Sequence, residues 1–129
     1  MHRVIDAMNV IGSRPDGWWR DRAGAIQRLV SELDRWAAET GERVTVVLEQ
    51  PPGRRLDAEL VEVGWAPRAG RDSADREIVR RLGDWLADGE EVTVVTSDRD
   101  LAARARDLGA AIEPAASFRA RLDRFENSK

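Results

Sequence analysis

The sequence predicts an α/β domain of three layers, α/β/α, around a central, mostly parallel sheet of four or five strands. Three observations lead there. Short β-branched apolar runs alternate with longer stretches at helical spacing, turn residues punctuate nearly every change, and acidic residues fall where the apolar runs end. Strands joined through helices imply right-handed crossovers and a parallel sheet covered on both faces.

Val4-Ile5 with its flanks reads as a short buried strand, ended by Asp6-Ala7-Met8-Asn9 and the turn-rich loop Gly12-Ser13-Arg14-Pro15-Asp16-Gly17. Ile26, Leu29, Val30, Leu33 and Ala37 then repeat at helical spacing, and Thr40-Gly41 closes that helix. Arg43 to Leu48 is a second strand stopped by Glu49-Gln50-Pro51-Pro52-Gly53. Leu60 to Ala66 alternates imperfectly as a third strand, with helix an alternative for Leu56 to Val61. Ala74 to Leu86 is a helix with Ile78, Val79, Leu82, Trp85 and Leu86 on one face, stopped by Asp88-Gly89. Val92 to Thr96 is strand, Asp100 to Leu108 helix ended by Gly109, Ala110 to Pro114 a short last strand, and Ala116 to Phe125 a final helix. The expected organisation is one domain over residues 1–125 and a frayed tail over 126–129.

A chain of 129 residues buries roughly two thirds of its unfolded surface, so one core suffices without staples. There is no cysteine, which excludes disulfides and thiolate metal sites and leaves oxygen ligands, the chemistry of Mg²⁺ or Mn²⁺. His2 reads as an incidental position next to the start. No leader-like or membrane-spanning run is visible, so the expectation is a cytoplasmic protein with no membrane association, a monomer or weak homodimer. The net charge of -3 argues against a non-specific nucleic-acid coat protein. Twenty of the 21 basic residues are arginine, whose planar fork suits phosphate, although GC-rich coding explains the bias as well.

In a parallel α/β sheet all strand C-termini share one edge, so acids at strand ends far apart in sequence converge there. Asp6, Glu49 and Asp98 stand at strand ends, and Asp72, Asp75 and Asp100 lie at helix starts on the same edge. Each has an innocent reading, because Asp72 and Ser97 or Asp98 suit N-caps and Asp75 and Asp100 favour a first helical turn. The set is harder to dismiss: two like charges about 4 Å apart cost roughly 4 kcal/mol at an effective dielectric of 20, and a divalent ion relieves that directly. Mg²⁺ held by one or two carboxylates, with waters and a substrate phosphate, serves phosphodiester hydrolysis. Asn9, three residues after Asp6, reads as a phosphate donor, a support for the Asp6 rotamer, or an Asx-turn, and Thr96 and Ser97 offer hydroxyls beside Asp98.

With those residues in place the chain resembles the NYN domains of the PIN-like nuclease superfamily, most of all the YacP-like branch. The resemblance rests on Val4-Ile5-Asp6-Ala7-Met8-Asn9-Val10-Ile11, Val46-Val47-Leu48-Glu49, Asp72-Ser73-Ala74-Asp75 and Val95-Thr96-Ser97-Asp98-Arg99-Asp100, and spans nearly the whole chain. It implies a PIN-like fold and a Mg²⁺- or Mn²⁺-dependent endoribonuclease in which Asp6, Asp75 and Asp98 match the catalytic, metal-holding acids. Asp72, Asn9 and Asp100 match supporting positions; with the reading of the residues themselves, the candidate metal set is Asp6, Asp72, Asp75, Asp98 and Asp100, supported by Asn9, Glu49, Thr96 and Ser97. It also implies mRNA on or near the ribosome as substrate. Ala7-Met8 replaces the family's usual Gly-Tyr, and Glu49 stands where aspartate is common; both departures bear on substrate choice.

Candidate RNA contacts are Arg14, Trp18, Trp19 and Arg20 after the first strand, Arg54 and Arg55 after the double proline, and Arg68 and Arg71 before Asp72. Single-stranded bases stack on aromatics, and arginines offset the repulsion between phosphates and the acids. Packing of one tryptophan on the core is the competing reading. Two alternatives stand beside a nuclease: a non-catalytic RNA- or ribosome-binding module whose acids only cap helices, and a PIN-type toxin ribonuclease. A receiver-like domain fits poorly, since it wants a lysine near its last strands and the one lysine is Lys129.

Overall fold

The computed structural model describes residues 1–128; Lys129, the end of the expected tail, lies outside the described residues. Five strands, β1 (His2–Asp6), β2 (Arg43–Leu48), β3 (Glu62–Trp65), β4 (Val92–Val95) and β5 (Ala111–Glu113), form one all-parallel sheet in the order β3-β2-β1-β4-β5. The helices are α1 (Ala7–Ile11), α2 (Arg22–Thr40), α3 (Ser73–Ala87), α4 (Arg99–Leu108) and α5 (Ala115–Asn127), with a 3-10 turn at Trp18–Arg20. Apolar residues alternate in direction along the pleat and bury both faces. Ile5, Val44, Val46 and Val95 pack with α1, α2 and α5, while Val4, Val47, Val92 and Val94 pack with α3 and α4. The expected three-layer domain is what the chain adopts.

Differences from expectation are local. Residues 7–11, expected as the exit from β1, form α1: Ala7, Val10 and Ile11 are buried at i, i+3 and i+4, a run too short for periodicity to reveal. The connection from β2 to β3 carries no helix, so Leu56 to Val61 is not helical. The Asp34 carboxylate on α2 instead accepts the backbone N–H groups of Glu59, Leu60 and Val61 at 2.9–3.0 Å, and Gln27 exchanges hydrogen bonds with the Asp57 backbone. Helix α5 continues through the residues expected to fray, as far as Asn127.

His2 is also not incidental. It is buried, its ring meets Trp85 edge-on at 4.4 Å, Nε2 lies 2.8 Å from Thr45 Oγ1, and Nδ1 lies 3.2 Å from a Glu90 oxygen. The approach of Nδ1 to Glu90 is a close contact rather than an aligned hydrogen bond, so Nδ1 is buried without a hydrogen-bond partner among the described residues.

The topology places the site. From β1 the chain steps outward to β2 and β3, then returns across the sheet to β4 and β5, so the order reverses between β1 and β4. The crevice beyond the C-terminal ends of these strands is where open α/β sheets bind ligands. Asp6 ends β1 and Asp98 follows β4 at that crevice.

Candidate functional site

An open cleft of about 240 Å³ is lined by Asp6, Met8, Asn9, Glu49, Asp72, Ser73, Ala74, Asp75 and Asp98. Carboxylate oxygens of Asp72, Asp75 and Asp98 all lie within 4.8 Å of one another. Asp6 belongs to the same cleft but sits deeper, at 6 % exposure. Asp100, on the first turn of α4, is exposed and does not line the cleft, a position that favours the helix dipole.

Asp98 does cap α4: its Oδ1 accepts the Leu101 N–H at 2.9 Å. Asp72 precedes α3 but makes no side-chain cap, and it holds a left-handed backbone (φ 59°), alone among the described non-glycine residues. Aspartate visits that region more easily than most residues, and such strain gathers at functional sites. Ser97 caps a different helix, since its Oγ accepts the Ala115 N–H at the start of α5. The capping explanation therefore accounts for one oxygen of Asp98 and neither oxygen of Asp72.

A relay of hydrogen bonds fixes the floor. The Asp98 N–H donates to Thr96 Oγ1 at 3.1 Å, which orients the buried Thr96 hydroxyl to donate to Asp6 Oδ2 at 2.9 Å. Asn9 makes no Asx-turn; its Oδ1 accepts the Ser97 N–H at 2.8 Å, leaving both amide N–H groups to the cleft it lines. The sequence missed Ser73, whose buried hydroxyl donates to the Glu49 carbonyl at 2.8 Å and ties α3 to the end of β2. Its place between Asp72 and Asp75 was the available signal.

Burial pushes the Asp6 carboxyl up to about 7; the Thr96 hydroxyl opposes this, and the charges of Asp75 and Asp98 add to it. Burial, then Asp98 and Asp72, pushes Asp75 up to about 6, with Arg104 on α4 opposing. Arg104 was not among the expected residues. Like charges thus crowd here with no cation in salt-bridge contact with Asp6, Asp72, Asp75 or Asp98 among the described residues, which is the condition a divalent ion relieves. The donor set is all carboxylate oxygen on one open rim, fitting Mg²⁺ or Mn²⁺ with its remaining positions filled by water and substrate.

Glu49 lines the cleft but its carboxylate pairs with Arg22 Nη2. The other expected contacts disperse. Arg14 pairs with Asp123 at 2.8 Å and Asp16 at 3.1 Å, and lines a separate cavity of about 350 Å³ between α2 and α5. Trp18 is half-buried against the core and lines that cavity too; Trp19 meets it edge-on and is 55 % exposed. Arg20 and Arg55 are exposed, and Arg54 is exposed 3.9 Å from Asp21. Arg68 lines a groove of about 290 Å³ with Arg76 and Arg80 that shares Ser73 with the acidic cleft, and the exposed Arg71 offers its carbonyl to Arg76.

The sequence model of the family described as "YacP-like NYN domain" matches residues 3–129. The fold is similar to that of Rae1 (YacP) from Bacillus subtilis, with a TM-score of 0.79 and 22% identity over 99% of this chain and 76% of that one. A point variant of the same Bacillus subtilis protein superposes with a TM-score of 0.81 and 21% identity over 98% of this chain and 77% of that one. No curated protein is significantly similar in sequence.

Proposed function

The chain belongs to the YacP-like NYN domain family, which carries a PIN-like, nuclease-type fold, and from that membership and its acidic edge we propose a Mg²⁺- or Mn²⁺-dependent endoribonuclease that hydrolyses single-stranded RNA. The observation that carries this reading is the convergence of Asp72, Asp75 and Asp98 within 4.8 Å beside the buried Asp6. A capping role accounts for only one of those oxygens.

Asp72, Asp75 and Asp98 would hold the ion. When bound, it neutralises the carboxylates, lowers the pKa of an attacking water and stabilises charge on the leaving oxygen. Asp6 Oδ2 accepts the Thr96 hydroxyl, which fixes the carboxyl in the cleft, where it would act as a hydrogen-bond acceptor towards an attacking water. Asn9 Nδ2 donates to a non-bridging phosphate oxygen, its amide held in register by the Ser97 N–H. Arg68 and Arg76, in the groove sharing Ser73, meet the neighbouring phosphates and offset their repulsion from the acids. The cleft is open and shallow, which suits a single strand that can be bent to it better than a rigid duplex.

The test is cleavage of a 5′-labelled unstructured RNA by the purified protein with Mn²⁺, compared with EDTA. Internal cuts that require the ion are expected. Saturable RNA binding with no cleavage under any divalent ion would replace this reading with the binding module.

A further inference from the structure

A second pocket, of about 210 Å³, adjoins the acidic cleft and shares Met8 and Glu49 with it. Ile26, Leu48, Pro51 and Pro52 join Met8 in lining it, and its polar groups are Arg22, Glu49 and Gln50. The volume is below the roughly 300 Å³ at which drug-sized sites begin, so it suits a single heterocycle. Apolar walls with a few fixed polar groups are what a flat base needs. At the polar side Arg22 and Glu49 pair with one another at side-chain exposures of 47 % and 39 %, an arrangement that opens at little cost.

The donors and acceptors select the base. A carboxylate accepts two parallel hydrogen bonds from the N1–H and N2–H of guanine, and a guanidinium donates to its O6. Adenine offers one donor, N6–H, beside the acceptor N1, and uracil one donor, N3–H, flanked by two carbonyls, so each leaves one Glu49 oxygen facing an acceptor. Cytosine offers Glu49 one donor, at N4, and its N3 stands where the second is needed.

We propose that this pocket is a base-recognition subsite that holds one unstacked guanine of the RNA adjacent to the cleaved phosphate, with Glu49 and Arg22 as the specificity residues. The proposal rests on the nuclease reading for its adjacency to the cut, and on Arg22, Glu49 and the apolar walls for its choice of base. It also gives Glu49 a role other than metal binding.

Two measurements separate the proposal from the nuclease reading. In the first, the four nucleoside 5′-monophosphates, which share one phosphate, are titrated without divalent ion into protein carrying ¹³C-methyl methionine and isoleucine. The Met8 and Ile26 methyls are expected to shift with the guanine nucleotide at about tenfold lower concentration than with the other three. In the second, RNAs that are all adenine except for one guanine are cleaved with Mn²⁺, and cuts are expected to gather beside the guanine with about tenfold preference. Glu49→Gln should bring that ratio close to one, and Ile26→Trp, filling the pocket, should remove both the shifts and the preference. Should Ile26→Trp fail to fold, Glu49→Gln alone decides. Equal shifts from all four nucleotides, or a guanine preference that survives Glu49→Gln, overturn the subsite while leaving the nuclease intact. Guanine-selective shifts with no cleavage of any RNA would uphold the pocket and overturn the nuclease.

Discussion

One strand carries both halves of a contrast. At the N-terminal edge of the sheet, Arg3 on β1 is buried with Glu42 and Glu113 around its guanidinium, over the rings of Trp36 and Phe118, and Arg43 spans Glu62 and Glu90. Three residues later on β1, Asp6 is just as buried and faces Asp75 and Asp98, charges of its own sign. Buried arginine with satisfied partners is explained by the fold itself. A buried carboxylate beside other carboxylates is not, and the proposed cation from outside the chain would supply the missing partner. A folded protein thus tolerates the same burial at both ends of one strand for different reasons: internal pairing at one and, on the proposed metal-dependent reading, external ligation at the other.

The contrast breaks first at Asp98. Asp98→Asn should lower Mn²⁺-dependent RNA cleavage on the order of a thousandfold, about 4 kcal/mol of transition-state stabilisation, because the amide keeps the cap on Leu101 and loses the charge. Asp100→Asn, two residues on and outside the cleft, should stay within about threefold on the same scale. Equal loss in both variants, read from single-turnover rates, would remove the distinction between a cleft acid and a helix-start acid.

At the opposite edge the expected damage is to stability. Arg3→Met strands Glu42 and Glu113 and should cost about 3 kcal/mol in urea unfolding, the low end for one partner of a buried pair, since Trp36 Nε1 still donates to Glu42 and Arg121 still meets Glu113. The folded fraction should cleave RNA at the parent rate. Activity lost in step with the Asp98 variant would mean the two edges are not independent.

The convergence of acids was legible because it follows from topology: parallel strands put Asp6 and Asp98 on one edge wherever the helices lie. Which neighbour turns inward was not. Asp98 and Asp100 lie two apart at a helix start, positions that do not share a face, so spacing admits one of them to the cleft without saying which. Short-range chemistry was hidden throughout. Five residues of α1 show less than two turns of periodicity, and the β2–β3 connection is organised by Asp34 from a helix some 25 residues earlier. The fold came from repeated patterns, whereas the partners of Arg14, Glu49 and His2 depended on packing that no local pattern encodes.

A smaller effect reads the acidic edge through pH. Asp6 titrates near 7 in the folded chain against an ordinary 3.8, so the folded state holds the proton more tightly and, without divalent ion, stability should fall as pH rises from about 4 to about 7. Asp6→Asn removes that loss and should be more stable than the parent at pH 8 in EDTA, by about 2 kcal/mol once relaxation discounts the full shift. Mn²⁺ should narrow the gap by binding the parent. An Asp6→Asn protein less stable than the parent at pH 8 in EDTA would show that the carboxylate is a net structural asset.

The smallest expected effect belongs to His2 and has the opposite sign. Burial, with Arg43 beside it, holds its pKa below the ordinary 6.5 against the pull of Glu90, so the folded state resists protonation. Stability from this group is complete above about 6.5 and declines as pH falls through that value, because the unfolded chain then takes up the proton first. In the parent the two edges oppose one another as pH falls below about 6.5, where the histidine contribution declines while the Asp6 contribution grows, and the larger acidic contribution should mask the histidine. Asp6→Asn/Asp75→Asn should unmask it, giving urea midpoints that rise towards pH 7, and adding His2→Gln should flatten that rise. A slope that persists without His2 would place the titrating group elsewhere and unseat the N-terminal edge as the acid-sensitive half of the pair.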